Sequence, residues 1–347
     1  MTEIKQATGV AYARAGLLGN PSDGYGGKAI AIPLFDFRAQ AYLESGQSRS
    51  GQGSLSQSGV RGSLLALEED SPLVATEDGT SLLEAALRSF LKAFPEIARR
   101  GPDHASFHFS VRFETDIPRQ VGLAGSSAIV ISVLRALSRW FSIDLEPGTL
   151  AELALSAEAR ELGIAAGPMD RIVQAREATV LMDLAEPGDC SSYQLLDASC
   201  LPELFLVWDP RGGQSSGVAH GELKRRWESG DPEVIQAIED FRDLVDEGLG
   251  FLESGDSDCF RQAMDRNFDL RARIFQVSER DREMVALARE HGAGAKLCGS
   301  GGAVLGSPRT ASDFDRLGQR YREMGYNFLR PRILPSAPEI SAASERS

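Results

Sequence analysis

The sequence predicts an α+β protein built as two lobes. Strand-like and helix-like segments follow one another in mixed order, without the regular βαβ alternation of a doubly wound sheet. Three glycine-rich turns stand near the start, the middle and the end of the chain. A length of 347 residues is enough for two lobes and a substantial core. The pattern breaks near residues 184–200, at Glu186-Pro-Gly-Asp-Cys-Ser-Ser. The expected division is therefore a first lobe at 1–190, a second at 191–335, and a disordered Ser/Ala/Glu-rich tail at 336–347.

The elements follow in order. Residues 9–13 read as a strand before the first glycine turn, and 29–37 and 39–43 as strands after it. Residues 45–63 are low in complexity and expected to form a mobile loop. The spacing of Leu83, Ala86, Leu87, Phe90 and Leu91 predicts a helix over 80–98. Phe107, Phe109, Val111 and Phe113 alternate as a strand does. The second glycine turn then leads into a strongly apolar helix carrying Ile129, Val130, Val133, Leu134 and Leu137. Pro147 fits the first position of a helix with Leu150, Leu153, Ala154 and Ala157 on one face. Residues 204–208, Leu-Phe-Leu-Val-Trp, have the signature of a buried strand. Polar-faced helices are expected at 231–253 and 258–275, and a shorter one at 285–291 before the third glycine turn.

Composition narrows the function. Hydrophobic residues make up 42% and charged residues 25%, ordinary for a globular protein. A net charge of −13 argues against a nucleic-acid partner or an anionic membrane surface. An anionic substrate would need local Arg and Lys groups working against that field. Cys190, Cys200, Cys259 and Cys298 have no CxxC spacing, so reduced thiols in the cytoplasm are expected, not a disulfide framework or a zinc site. The first residues lack the apolar core of a signal peptide, and no apolar run is long enough to span a membrane.

The chemistry is concentrated in the turns. In Pro118-Arg-Gln-Val-Gly-Leu-Ala-Gly-Ser-Ser-Ala128, small residues let backbone N–H groups point inward, and the following helix adds partial positive charge. That arrangement suits a polyphosphate. Ser126 and Ser127 are expected to cap the helix, and a serine hydroxyl there can also reach a phosphate-bound Mg²⁺. It is not a Walker A loop, because no Gly-Lys-Ser/Thr ends it.

Taken with Ala13-Arg-Ala-Gly-Leu-Leu-Gly-Asn-Pro-Ser-Asp23 and Lys296-Leu-Cys-Gly-Ser-Gly-Gly302, this ordered triple resembles the three motifs of the GHMP kinase superfamily. The likeness covers roughly residues 8–306. The wording is most similar to glucuronokinase-like sugar-acid kinases. Asn20-Pro21 stands where many members have Glu-His, and Ala124 is one extra residue in the second motif. The phrase Glu161-Leu-Gly-Ile-Ala-Ala-Gly-Pro-Met-Asp-Arg-Ile-Val-Gln174 points to the same branch.

The resemblance implies a two-lobed GHMP kinase fold with a mixed α/β N-terminal lobe and a ferredoxin-like C-terminal lobe. It also implies ATP and Mg²⁺ as cofactors and a sugar or sugar acid as substrate. ATP would lie against Gly122, Leu123, Ala124, Gly125, Ser126, Ser127 and Ala128. By position alone Asp170 reads as a helix N-cap; the resemblance makes it the catalytic base for the attacking hydroxyl, with Arg14 polarising that hydroxyl and holding phosphoryl charge. Asp23 matches a sugar-binding aspartate, with an Asx turn as the competing local role. Ser127 and Glu158 correspond to the metal ligands, Glu161 one turn away being the alternative. Gly299, Gly301 and Gly302 would close over the substrate. Lys296 reads either as a phosphate contact or as an exposed strand-edge lysine. Asn267 shares a helix face with Arg271, and Arg271 or Arg171 would pair with a sugar carboxylate. The implied reaction is phosphorylation of the anomeric hydroxyl of D-glucuronate. Alternatives are galacturonate, a hexose or heptose, mevalonate, or a GHMP-fold protein that binds a ligand without turnover.

Overall fold

One long strand organises the first lobe. In the computed structural model, which describes residues 5–45, 59–60, 79–99, 109–164, 167–184, 192–212 and 216–334, β1 (Gln6–Leu18) runs antiparallel to β2 (Lys28–Ser45) along nearly its whole length. The two strands read from 29–37 and 39–43 are this single strand. The break between them is a bulge: Tyr12 pairs with Arg38 and Ala13 with Leu34, so residues 35–37 stand unmatched. The bulge has an occupation of its own. Phe37 meets Trp208 edge-on at 5.4 Å, and the backbone N–H of Phe35 donates to the Arg332 carbonyl at 3.1 Å.

The other edge of β2 is divided. β3 (Gly59–Val60) extends the sheet beyond β4 (Phe109–Thr115), which pairs with residues 39–45 of β2. β5 (Val180–Asp183) pairs with residues 28–31 and is followed by β6 (Tyr193–Leu195). The first sheet therefore reaches Leu195, past the expected lobe boundary at 190. The helices of this lobe are α1 (Thr80–Ala93), α2 (Pro95–Ala98), α3 (Gly125–Phe141), α4 (Pro147–Ser156) and α5 (Met169–Arg176). Pro147 opens α4, as its fixed φ and missing N–H favour. α3 is buried on nearly every side, from Ala128 to Trp140, because it lies between the sheet and the other helices.

The second lobe is a four-stranded antiparallel sheet in the order β10-β7-β9-β8. Its strands are β7 (Phe205–Trp208), β8 (Gly294–Leu297), β9 (Ala303–Ser307) and β10 (Asn327–Leu329). Its helices are α6 (Ser216–Glu228), α7 (Pro232–Ser254), α8 (Ser257–Ile274), α9 (Glu279–Glu290) and α10 (Ala311–Glu323). Strand, helices, two strands, helix and strand in that spatial order make the expected ferredoxin-like arrangement. Side-chain caps explain the helix starts: Asp231 accepts from Glu233 N at 3.0 Å and Asp256 from Cys259 N at 3.0 Å. α9 begins at Glu279, ahead of the expected 285, because its first turn is charged and capped by Ser278, which hides the apolar period.

The two sheets share one core. It includes Ala13, Leu17 and Ile30 from the first lobe with Phe241, Val245, Phe260 and Met264 from α7 and α8. A smaller cluster around Phe205, Tyr321 and Phe328 fills the far side of the second sheet. No helix among the described residues is long and apolar enough to cross a membrane. Most of the 45–63 segment, the 336–347 tail and Cys190 lie outside the described residues.

α7 seats against β1 through Gly248, where a Cβ would stand 2.1 Å from Leu18 Cδ1, whereas nothing lies within 4 Å of a Cβ at Gly250. Gly248→Leu is expected to overpack the core and cost about 1–3 kcal/mol. Gly250→Ala on the exposed side of the same helix is expected to gain up to about 1 kcal/mol from helix propensity. Thermal melts of the two variants, shifted in opposite directions, check this.

Candidate active site

The site forms where β1 passes between the second and third glycine turns. Ala13, Ala15 and Leu17 turn into the core, so Arg14 faces the other way and is held at 5% exposure among backbone carbonyls. Its Nε donates to Asp170 Oδ1 at 2.6 Å, and one terminal nitrogen donates to the carbonyls of Gly122 at 2.8 Å and Cys298 at 3.2 Å. All three glycine motifs and the Asp170 segment thus meet at one guanidinium. The backbone repeats the connection, with Gly16 N donating to Cys298 O at 2.7 Å. Only glycine fits where the second and third turns touch. A Cβ at Gly299 would lie 2.3 Å from Gly122 O, and Gly122 itself has a φ of 72°.

The second turn differs from expectation in one respect. α3 is not capped by a serine: its N-cap is Ala124, at φ 59°, with no side-chain cap hydrogen bond. Ser126 and Ser127 instead lie inside the first turn, because the extra residue Ala124 turns the chain in the left-handed region before the helix begins. The first-turn N–H groups therefore carry no side-chain cap, which leaves them available to an anion. Gln174, which the sequence did not single out, holds this turn. Its Nε2 donates to Ala124 O at 3.0 Å and to Tyr12 O at 2.9 Å.

Ser127 Oγ donates to Glu158 Oε1 at 3.2 Å. Glu158 lies in a π turn (Ala157–Glu161) that follows α4, and the widened turn buries its side chain completely. Glu161 points elsewhere and pairs with Lys92 at 2.7 Å. Of the two glutamates, Glu158 faces the serine. Its other oxygen takes the Nε of Arg171 at 2.8 Å, while Arg171 also donates to Gly167 O at 2.6 Å. Arg171 is thus committed within the protein. Asp170 is not an N-cap: Pro168 holds that position and Asp170 lies in the first turn of α5.

The substrate side is built from the first turn. Asp23 sits in the 3₁₀ turn Ser22–Tyr25 and is 8% exposed. Burial pushes its carboxyl up to about 6, the nearby Asp170 carboxylate adds to the rise, and Arg14 and Arg171 oppose it. Asn267 brackets the turn from α8, accepting from Gly19 N at 2.7 Å and donating to Asn20 O at 3.3 Å. Arg271, one helical turn on, donates to Ser300 O at 3.4 Å and stacks on Phe275.

Lys296 is neither an exposed strand-edge lysine nor turned toward a phosphate. It is 1% exposed and donates to Gly16 O at 2.7 Å, Leu297 O at 2.8 Å and Asn20 Oδ1. Burial pulls its ammonium down to about 7. The third turn is tethered by Asp281, which also escaped the sequence. Asp281 accepts from Gly302 N at 2.8 Å and from Ser278 Oγ at 2.9 Å, beside Gly301 at φ 132°.

The chain also matches known proteins. Residues 81–177 match the family described as GHMP kinases N terminal domain, and residues 249–327 match GHMP kinases C terminal. Over 341 residues the chain is 32% identical to glucuronokinase 1 of Arabidopsis thaliana, covering 94% of this chain and 91% of that protein. It is 31% identical, over the same shares, to probable glucuronokinase 2 of that plant. This chain belongs to the GHMP kinase family. The fold of this GHMP kinase is also that of Lactococcus lactis galactokinase, solved in complex with galactose. The TM-score is 0.72 at 13% identity, over 95% of this chain and 94% of that one.

In a GHMP kinase the Asp23 environment has a measurable consequence for stability. The folded carboxyl holds its proton more tightly than the unfolded one, so the ionised form costs the fold about 3 kcal/mol above pH 6. That cost shrinks as pH falls toward the ordinary carboxylate range. Asp23→Asn is expected to melt above the parent protein at pH 7, and the difference should close as melts are repeated toward pH 4.

Proposed function

We propose that this GHMP kinase transfers the γ-phosphoryl group of ATP to the anomeric hydroxyl of D-glucuronate, giving glucuronate 1-phosphate and ADP. The observation that carries the reading is the Arg14–Asp170 pair at the junction of the three glycine turns, in a chain similar over almost its full length to glucuronokinases. Asp170 takes the proton of the attacking hydroxyl as its oxygen bonds to phosphorus and the bond to ADP breaks. Arg14 hydrogen-bonds that carboxylate and offsets charge on the phosphoryl oxygens. The N–H groups of the 122–128 turn receive the ATP phosphates. Asp23 accepts hydrogen bonds from sugar hydroxyls, and the 299–302 turn lies over the opposite side.

The Ser127 hydroxyl and Glu158 carboxylate, 3.2 Å apart, are hard oxygen donors that suit Mg²⁺. No cluster of three or more His, Cys, Asp or Glu able to hold a metal occurs among the described residues. Two protein oxygens completed by phosphate and water are the usual arrangement for Mg²⁺ with a nucleotide. When bound there, the ion would neutralise phosphate charge.

The test is ADP release over a panel of glucuronate, galacturonate, glucose, galactose and mevalonate, with ³¹P NMR of the product. Glucuronate is expected to be the best acceptor, to yield an anomeric phosphate, and to require a divalent ion. Asp170→Asn should lower kcat by about 10²–10⁴-fold with little change in nucleotide affinity. Nucleotide binding without a phosphorylated product from any acceptor would instead identify a binding protein.

A further inference from the structure

Among the basic groups described at this site, Arg271 is the one whose N–H is fully buried with no acceptor. Arg14 is taken by Asp170 and two carbonyls, and Arg171 by Glu158 and Gly167. The three N–H groups of Lys296 meet three oxygens. Arg271 is 2% exposed, yet among the described residues its Nε–H has no acceptor and its guanidinium makes no ion pair. Its one hydrogen bond, from Nη2 to Ser300 O, is 3.4 Å long. Asp281, the acid with the largest effect on it, already spends its oxygens on Gly302 N and Ser278 Oγ.

Placement and shape indicate what is missing. Arg271 lies one helical turn beyond Asn267, which brackets the first turn, and it reaches Ser300 in the third, so it stands between the two. Asp23 and Arg14 act on it electrostatically. Phe275 covers one flat face, with Cζ 4.3 Å from the ring centre. On the Nε–Nη2 edge, Nε has no acceptor and Nη2 is held only by the long bond to Ser300 O, so the edge presents two parallel donors in the spacing of a carboxylate.

We propose that this edge of Arg271 binds the carboxylate of a sugar-acid substrate side-on and selects acids over neutral sugars. The proposal rests on the sugar-kinase reading above. Burial pulls the Arg271 guanidinium down to about 10, as expected of a cation short of compensating charge, and a bound carboxylate supplies that charge. Replacing Arg by Lys keeps the charge and loses the fork.

The experiment measures kcat/KM for two acid/neutral pairs, glucuronate with glucose and galacturonate with galactose, in the parent protein, Arg271→Gln and Arg271→Lys, and also KM for ATP. In the parent the favoured acid should exceed its neutral partner by roughly 30- to 150-fold. Arg271→Gln should remove most of that ratio, Arg271→Lys should keep an intermediate one, and KM for ATP should move little. Arg271→Lys carries the test if the glutamine variant melts early. A preference for galacturonate that is lost in Arg271→Gln would refute the glucuronate assignment and support this one. An acid preference that survives both variants overturns the proposal. So does the absence of any acid preference in the parent, or a loss expressed mainly in KM for ATP, which would make Arg271 a phosphate contact.

Discussion

The structure of this site depends on the Arg14 guanidinium. Among the described residues it is the group that touches the aspartate segment and the second and third glycine turns together, through Asp170, Gly122 O and Cys298 O. A planar fork of five donors is the side chain that can do this, since a lysine would spend one point charge where three acceptors lie in different directions. The geometry is also self-enforcing. Two backbone carbonyls and a carboxylate converging out of water are unfavourable without the cation between them, so losing it would open the junction as well as the chemistry.

Charge inside the site is balanced in sign where the chain as a whole is acidic. A chain of net −13 buries Arg14, Arg171, Arg271 and Lys296 around one cleft, opposed by Asp23, Glu158, Asp281 and a partly covered Asp170. Each group stands out of water, where an incompletely compensated charge is costly. The displaced titrations of Asp23 and Lys296 record that cost in the folded protein. Groups held this way are preorganised, at a cost in stability.

The lobes are not independent supports for this arrangement. Phe241, Val245 and Phe260 of the second lobe pack into the same core as Leu17 and Ile30 of the first. Asn267 and Lys296, both from the second lobe, hold the backbone of the first glycine turn on the first lobe. The β2 bulge extends the seam through Phe37 on Trp208. Displacing one sheet relative to the other would therefore disturb Asp23 and the third turn together.

Sequence alone determined what depends on neighbours along the chain. Alternation and period marked β4, β7, α3, α7 and α8. Proline at the first position of α4, and Asp231 before Pro232, set helix starts through contacts within one turn. Three glycine turns, with Arg14 in the first and Asp170 between the second and third, carried the family. Partner choice was a different matter. Arg14 and Asp170 are 156 residues apart, and Lys296 is 280 from Gly16. No local period reports such pairings. The tertiary structure decided that Glu158, not Glu161, faces Ser127, and that Arg171 is fully paired while Arg271 keeps an N–H without an acceptor. It also assigned Gln174 and Asp281 the task of holding the two turns. A side chain's role at this site follows from which backbone oxygens and counter-charges the folded chain brings within about 3 Å of it, and only folding sets those distances.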